Sequence, residues 1–359
     1  MKTHHQVIIG DAREMQAVDS ESIDLVVTSP PYPMITMWDP GFCRLNPDIK
    51  DFLESNDGMT AYELMHQELD RAWNEVYRVL KTGGFACINI GDATRTVGDH
   101  FQLYPNHSRI LHHLMTLGFQ ILPDILWRKQ TNAPTKFMGS GMLPAGAYVT
   151  LEHEYILIAR KGSKRIFKHD AEKQLRRKSA LFWEERNLFF SDIWMDLKGA
   201  RQNLTPTSAR KRSGAFPFEL AYRLICMYSV QQDTILDPFA GTGTTMAAAA
   251  ALCRNSIGVE KETTLLPAIG QTFQNLVGLA NQYYADRLER HRQFVQNYKK
   301  TKKRLKHWNG YYGFGVMTKQ ETELVFHDLN RWVELADQYF EVYYEAGPTA
   351  GNHKKQDDR

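Results

Sequence analysis

Short apolar runs alternate with amphipathic stretches through the first half of this chain, and that alternation restricts the fold more than any other feature. It marks an α/β protein with a mainly parallel twisted sheet. Residues 6–9, 23–28, 85–90, 120–127 and 154–160 read as strands. Between them, residues 61–80 carry Leu64, Leu69, Ala72, Trp73, Val76 and Leu80 at helical spacing, and Gly83 and Gly84 suit a left-handed cap. The pattern returns later, with helices at 216–230 and 244–252 and strands at 234–236 and 256–259. A chain of 359 residues with 43% apolar content suffices for one large catalytic domain and an appendage.

Charge is spread unevenly. The formal net charge is +3, yet residues 160–212 hold fifteen Lys/Arg against six Asp/Glu, which leaves the rest mildly acidic. Residues 163–213 are also irregular and aromatic, with Phe167, Phe182, Trp183, Phe189, Phe190 and Trp194, and read as an inserted module. A second basic block, 287–306, has Glu289 as its one acid. Basic islands on an acidic body suit an anion-binding surface, most often for nucleic acid, although solvated helix faces share that composition. Beyond residue 262 the chain reads as a mostly helical extension: helices to about 306, a hairpin at 311–317 and 321–327, a helix over 328–344 and a polar tail. Cys43, Cys87, Cys226 and Cys253 lack CxxC spacing, so neither a disulfide framework nor a metal site is expected. With no signal-peptide core and no apolar run of membrane length, a cytoplasmic protein without membrane contact is expected.

Two turns carry the chemistry. Residues 234–245 read Thr-Ile-Leu-Asp-Pro-Phe-Ala-Gly-Thr-Gly-Thr-Thr: a strand ending at Asp237, a turn with Gly241 and Gly243, then a helix. Ligands of open α/β sheets sit beyond the carboxyl ends of the strands, where glycine allows close approach to the backbone. The third glycine of a dinucleotide fingerprint and the Gly-Lys-Ser/Thr of a phosphate loop are both missing. Glu260 ends the next strand, where a carboxylate accepts hydrogen bonds from both hydroxyls of a ribose; the plainer reading is a solvated Glu. The second turn, Thr-Ser-Pro-Pro-Tyr at 28–32, follows an apolar strand directly. Its two prolines fix the backbone and remove two N–H donors. Such a turn can offer the Ser29 hydroxyl and the Pro30 carbonyl to one amine, and the Tyr32 ring to a planar base. Most Pro-Pro pairs are simply turns.

The order of these turns resembles that of the DNA amino-methyltransferases with the beta arrangement of motifs. In that family a Ser/Asp/Asn-Pro-Pro-Tyr/Phe/Trp catalytic motif precedes an Asp-x-Phe-x-Gly-x-Gly cofactor motif, a circularly permuted order. Here Ser29, Pro30, Pro31 and Tyr32 precede Asp237, Phe239, Gly241 and Gly243. Gly10-Asp11 is similar to the family's adenine contact, and Leu-Lys-Thr-Gly-Gly (80–84) and Ile-Asn-Ile-Gly-Asp (88–92) to its middle motifs. His-Glu-Tyr-Ile (153–156) resembles the motif before the target-recognition region, and Phe-Pro-Phe-Glu-Leu (216–220) the one covering the methionine end of the cofactor. The resemblance spans 6–162 and 214–262. It implies the S-adenosylmethionine-dependent methyltransferase fold, with a catalytic domain at 1–162 and 214–262, a target-recognition region at 163–213 and the extension 263–359. It also implies catalysis by Ser29, Pro30, Pro31 and Tyr32, and cofactor binding by Asp11, Phe216, Pro217, Asp237, Phe239, Gly241, Gly243, Thr244 and Glu260. Residues 263–279 displace the family's usual next helix, and the tail has no counterpart there.

The implied reaction moves a methyl group from a sulfonium to an exocyclic base amine, and works by positioning and electrostatics. The base must first be flipped out of the duplex. In the family, Ser at the first motif position goes with cytosine N4 and Asp or Asn with adenine N6. Cytosine N4 is therefore expected; adenine N6 is the alternative, and RNA or protein a more remote one. Attack at cytosine C5 would need a cysteine, normally after proline, and none of the four follows one. A binding protein that had lost catalysis is argued against by the intact Ser29, Tyr32, Asp237 and Gly243. Duplex DNA is the expected partner, gripped through Lys164, Arg165, Lys168, Arg176, Arg177, Lys178, Arg210, Lys211 and Arg212. A restriction endonuclease acting on the same site is a further expected partner, and a monomer or a homodimer both fit. Asp92 reads as a pocket residue or a turn cap, and Trp38 as a lid or a core residue.

Overall fold

The computed structural model describes residues 1–129, 139–199, 216–301, 305–336 and 338–348. The chain opens with β1 (Lys2–Ile9) and β2 (Ile23–Thr28), then helices α1 (Asp39–Leu45), α2 (Asp48–Glu54) and α3 (Gly58–Val79). Next come β3 (Leu80–Ile90), β4 (Ala93–Val97), β5 (His100–Tyr104), α4 (Asn106–Thr116), β6 (Phe119–Arg128) and β7 (His153–Lys161). The middle of the chain forms α5 (Asp170–Lys178), α6 (Trp183–Phe189), β8 (Ile193–Trp194), α7 (Phe218–Tyr228), β9 (Thr234–Asp237), α8 (Thr244–Ala251) and β10 (Asn255–Glu260). It ends with α9 (Leu266–Gln274), α10 (Leu276–Lys300), β11 (His307–Trp308), β12 (Gly315–Val316), β13 (Leu329–Ala336) and β14 (Tyr339–Tyr344).

Ten strands make one sheet in the order β13-β14-β1-β10-β9-β2-β3-β7-β6-β8. The five central strands, β1, β10, β9, β2 and β3, are mutually parallel, and β7 turns against β3. Residues 23–28 are buried on both faces, as an interior parallel strand requires. On one face Leu25, Val27, Ile156 and Ile235 pack under α7 and α8. The run of five alanines that ends α8 is wholly buried, so this helix lies close to the sheet. On the other face Val26, Ile88 and Leu236 pack under α3, whose Ala61, Met65, Leu69, Trp73 and Val76 form the inward stripe. The Asp57 side chain caps α3 by accepting from the Thr60 N–H at 3.0 Å. Among the described residues no helix is long and apolar enough to cross a membrane.

Two expectations are corrected here. Residues 328–344 form no helix: β13 and β14 are an antiparallel hairpin that joins the sheet beside β1, with Lys2 opposite Tyr343 and Gln6 opposite Tyr339. The expected hairpin at 311–327 is replaced by the two-residue pair β11 and β12, with Lys319–Glu321 a 3-10 turn. Within the stretch read as an inserted module, Phe182, Phe189 and Trp194 lie in the main core, and β8 adds to the main sheet beside β6.

The C-terminal helix is tied in by a buried ion pair. Arg287 of α10, 2% exposed, donates to both Glu185 carboxylate oxygens at 2.6 and 2.7 Å and to the Tyr222 hydroxyl at 3.0 Å, with its guanidinium 4.3 Å from the Phe326 ring centre. This residue of the second basic block is therefore structural. Truncating it strands the Glu185 charge in the core, so Arg287→Ala is expected to cost about 3–5 kcal/mol in urea unfolding. A loss below about 1 kcal/mol would mean that the pair is not holding α10 to α6.

Candidate active site

Because the central strands are parallel, their carboxyl ends share one edge. Gly10 and Asp11 follow β1, Glu260 ends β10, Asp237 ends β9, Ser29 follows β2 and Gly91 follows β3. The antiparallel β7 starts on this edge at His153, and β6 reaches it at Arg128, paired with His153. Residues from both ends of the catalytic region thus meet in one crevice.

The glycine turn is built around two buried carboxylates. Asp237 Oδ1 accepts from the Thr28 hydroxyl at 2.6 Å and from the Phe239 N–H at 3.1 Å, and Oδ2 accepts from the Thr245 hydroxyl at 2.7 Å. Burial pushes the Asp237 carboxyl up to about 6 against those bonds, with a further upward push from Glu260. Glu260 is 6% exposed and accepts from the Gly241 N–H and the Glu262 N–H, both at 2.8 Å. Its carboxylate is thereby held in one orientation at the end of β10. Gly241 and Gly243 have φ of 55° and 79°, left-handed values that disfavour other residues. A Cβ on Gly241 would meet nothing nearer than 3.9 Å, so the backbone there is open to a ligand. Thr244 begins α8, Phe239 is half-buried against Trp73, and Phe216 and Pro217 lead into α7. Asp11 accepts from Arg13 and from Lys261 at 2.9 Å; burial alone would raise its pKa, but these donors hold it well below the carboxylate range. An oriented carboxylate, an open glycine bend and acidic flanks suit a cationic nucleoside such as S-adenosylmethionine.

The proline turn sits beside it. The Ser29 hydroxyl donates to the Tyr32 hydroxyl at 3.1 Å, and Tyr32 donates to Glu154 Oε2 at 3.0 Å. Asn89 Nδ2 donates to both Tyr32 and Glu154, at 2.8 and 2.7 Å, and Lys129 Nζ donates to Glu154 Oε1 at 2.7 Å. Tyr32 was expected to present its ring, but it is 9% exposed, with its hydroxyl drawn inward and its ring edge against Gly91. A Cβ on Gly91 would lie 3.1 Å from Tyr32 and 3.3 Å from Glu154, so a larger residue there would press on both side chains. The exit of the turn is pinned by Asn106, which donates to the Pro33 and Gly91 carbonyls at 3.1 and 3.0 Å. Asn106 Oδ1 in turn meets His66 Nε2 at 3.0 Å, and burial pushes that imidazole down to about 3, so it stays neutral. Asp92 proves to be a cap: it accepts from the His107 N–H at 3.0 Å at the start of α4 and from its ring Nδ1. Trp38 is half-buried against the α3 side of the core.

The sequence reading missed Thr28, Thr245, Asn89, Lys129 and Glu154 as site residues. Asn89 and Glu154 lie within quoted motifs; only their pairing across the sheet reveals what they do. The expected DNA-contacting residues are not brought to this edge. Arg165 donates to both Asp233 oxygens at 2.9 and 2.8 Å and lies 3.5 Å from Asp24, where β9 and β2 begin, at the opposite edge. Arg176 packs with Arg165 on the Phe167 ring, and Arg177 pairs with Glu323. Lys178 accepts from the Val325 N–H through its carbonyl, next to Ser179, whose hydroxyl accepts from the Gln231 N–H just before β9. Lys164 and Lys168 flank this group. These residues were expected to bind phosphates; they follow β7, which runs against β3 and places them on the side away from the proline and glycine turns. Arg210, Lys211 and Arg212 lie outside the described residues.

Comparison with known proteins agrees with this geometry. The family model for DNA methylases matches residues 23–271. The type II methyltransferase M.MthZI of Methanothermobacter thermautotrophicus is 49% identical over 346 residues, 96% of each chain. M.MjaI of Methanocaldococcus jannaschii, also a type II methyltransferase, is 51% identical over 278 residues, 74% of this chain and 90% of that one. Among solved structures, a DNA modification methylase of Thermus thermophilus, TTHA0409, in complex with S-adenosyl-L-methionine superposes with a TM-score of 0.59 at 33% identity, over 76% of this chain and 95% of that one. The chain thus belongs to the DNA methylase family, as an S-adenosylmethionine-dependent amino-methyltransferase of the restriction-modification type.

Proposed function

We propose that the enzyme methylates the N4 amine of a cytosine flipped out of duplex DNA. The observation that carries this is Ser29, which stands first in the proline turn and commits its hydrogen to Tyr32, leaving its lone pairs to accept from an amine. Ser at that position is what the family resemblance associates with cytosine. When bound, S-adenosylmethionine supplies an electrophilic methyl group. Ser29 Oγ and the Pro30 carbonyl act as acceptors fixed before the base arrives, and stabilise the amine as it turns tetrahedral. Glu260, the Gly241 and Gly243 bend, Asp11, Phe239 and Thr244 would hold the nucleoside, and Phe216 and Pro217 its amino-acid end. Duplex DNA would approach the same edge, and a nuclease reading the same sequence would be the companion activity in a prokaryotic cytoplasm.

The product decides the base. Digesting methylated DNA to nucleosides for mass spectrometry is expected to yield N4-methylcytosine; N6-methyladenine would overturn the assignment. Ser29→Ala is expected to lower turnover by about 10²-fold or more while cofactor affinity holds. Glu260→Ala should do the reverse, weakening cofactor binding by roughly 10–100-fold. Full activity in Ser29→Ala would remove the proposed amine contact.

Asp237 adds a pH signature. Its carboxyl is raised by burial from 3.8 to about 6. The folded state therefore binds this proton more tightly than the unfolded chain. The contribution to stability is full below about pH 4 and is lost as pH rises through about 6. Against Asp237→Asn, the wild type is expected to lose up to about 3 kcal/mol between about pH 4 and 7 in urea unfolding. A difference that stays constant with pH would show that Asp237 does not titrate in this window. Above about pH 6 the ionised carboxylate also favours a cationic cofactor over the turn.

A further inference from the structure

We propose that Ser29, Tyr32 and Glu154 form a proton path, in which Glu154 takes up the proton that the target amine gives up on methylation. The proposal rests on the reading of this site as an amine methyltransferase and assigns a residue that reading leaves without a task.

The hydrogen bonds run in one direction. Lys129 and Asn89 both donate to Glu154, and neither can accept from it through those nitrogens. Tyr32 must then be the donor in its own 3.0 Å contact with Glu154 Oε2. With its single hydrogen committed, the Tyr32 oxygen accepts from Asn89 at 2.8 Å and from Ser29 at 3.1 Å. Ser29 is thereby an acceptor toward the crevice. The chain from crevice to core reads amine, Ser29, Tyr32, Glu154, with Lys129 closing its inner end. Burial, reinforced by the Glu154 charge, pushes the Tyr32 phenol well above its ordinary value, so it keeps its hydrogen between turnovers.

This direction matters because the reaction leaves a proton behind. As nitrogen forms its bond to the methyl carbon and sulfur keeps the pair of the broken bond, the nitrogen gains a positive charge while still carrying two hydrogens. One N–H bond breaks, with its electron pair restoring the neutral amine. That proton goes to Ser29 Oγ, the Ser29 hydrogen moves to the Tyr32 oxygen, and the Tyr32 hydrogen moves to Glu154 Oε2. Ser29 and Tyr32 end as they began, and Glu154 ends neutral. The half-exposed Lys129 beside it offers the way to water for the reset. The buried carboxylate also explains the Tyr in the motif: the family pattern admits Phe or Trp there, and neither could relay a proton.

The test is single-turnover transfer from methyl-tritiated S-adenosylmethionine to PCR-amplified, hence unmethylated, duplex DNA, as a function of pH. Tyr32→Phe keeps the ring and Glu154→Gln keeps the side-chain shape. Equilibrium cofactor binding and unfolding midpoints check that each variant is folded. The wild-type rate is expected to be level from about pH 7 to 9. Each variant should be slower by about 10²-fold near pH 7 and regain rate as pH rises, because hydroxide replaces the missing acceptor. Variants within about threefold of wild type, or slowed by the same factor at every pH, would overturn the path and leave the methyltransferase reading intact. Failure of the wild type itself to label DNA would overturn that reading, and the path with it.

Discussion

The Thr28 hydroxyl meets the Asp237 carboxylate at 2.6 Å where β2 and β9 end side by side. The ladder between these strands pairs Leu25 with Ile235 and Val26 with Leu236, and then stops. Past that point the side-chain bond continues the connection, with Thr245 binding the other carboxylate oxygen and the Val27 carbonyl. One buried acid thus ties the proline turn, the glycine turn and the first turn of α8 into a single body. Without it, the two turns would be free to shift by the fraction of an ångström that methyl transfer does not forgive. The cost is a carboxylate held in the core, which its own donors only partly offset.

Much of this architecture was legible because it is local. The central strands β2, β9 and β10 are short apolar runs ended by a polar residue, and α3 carries a clear inward stripe. What was lost depended on direction and on unmarked turns. The reversal of β7 carries no residue-level mark, so the sequence could not say at which edge the basic residues that follow it would lie. The helix read over 328–344 is two strands because Gln338 makes the reversal at φ 63°. No glycine or proline announces that turn.

The chemistry divides in the same way. Ser29, Gly241 and Glu260 could be named because turns and strand ends carry residue-level marks. Glu154 could not, since its meaning comes from Tyr32, 122 positions away, and from Asn89, 65 positions away. A lone Glu near the start of a strand looks the same whether it faces water or sits under a reactive hydroxyl. Distance in sequence hides this kind of partnership, and only the folded sheet brings its members within hydrogen-bond reach.

The place of β1 bears on how the molecule is made. Its neighbours are β10, at residues 255–260, and β14, at residues 339–344. During translation this first strand leaves the ribosome with neither flank available, and its second flank arrives only after more than three hundred further residues. Contacts so remote form slowly. The nascent enzyme must therefore carry an open sheet edge for most of its synthesis, and the closing hairpin serves as the latch that ends that exposure.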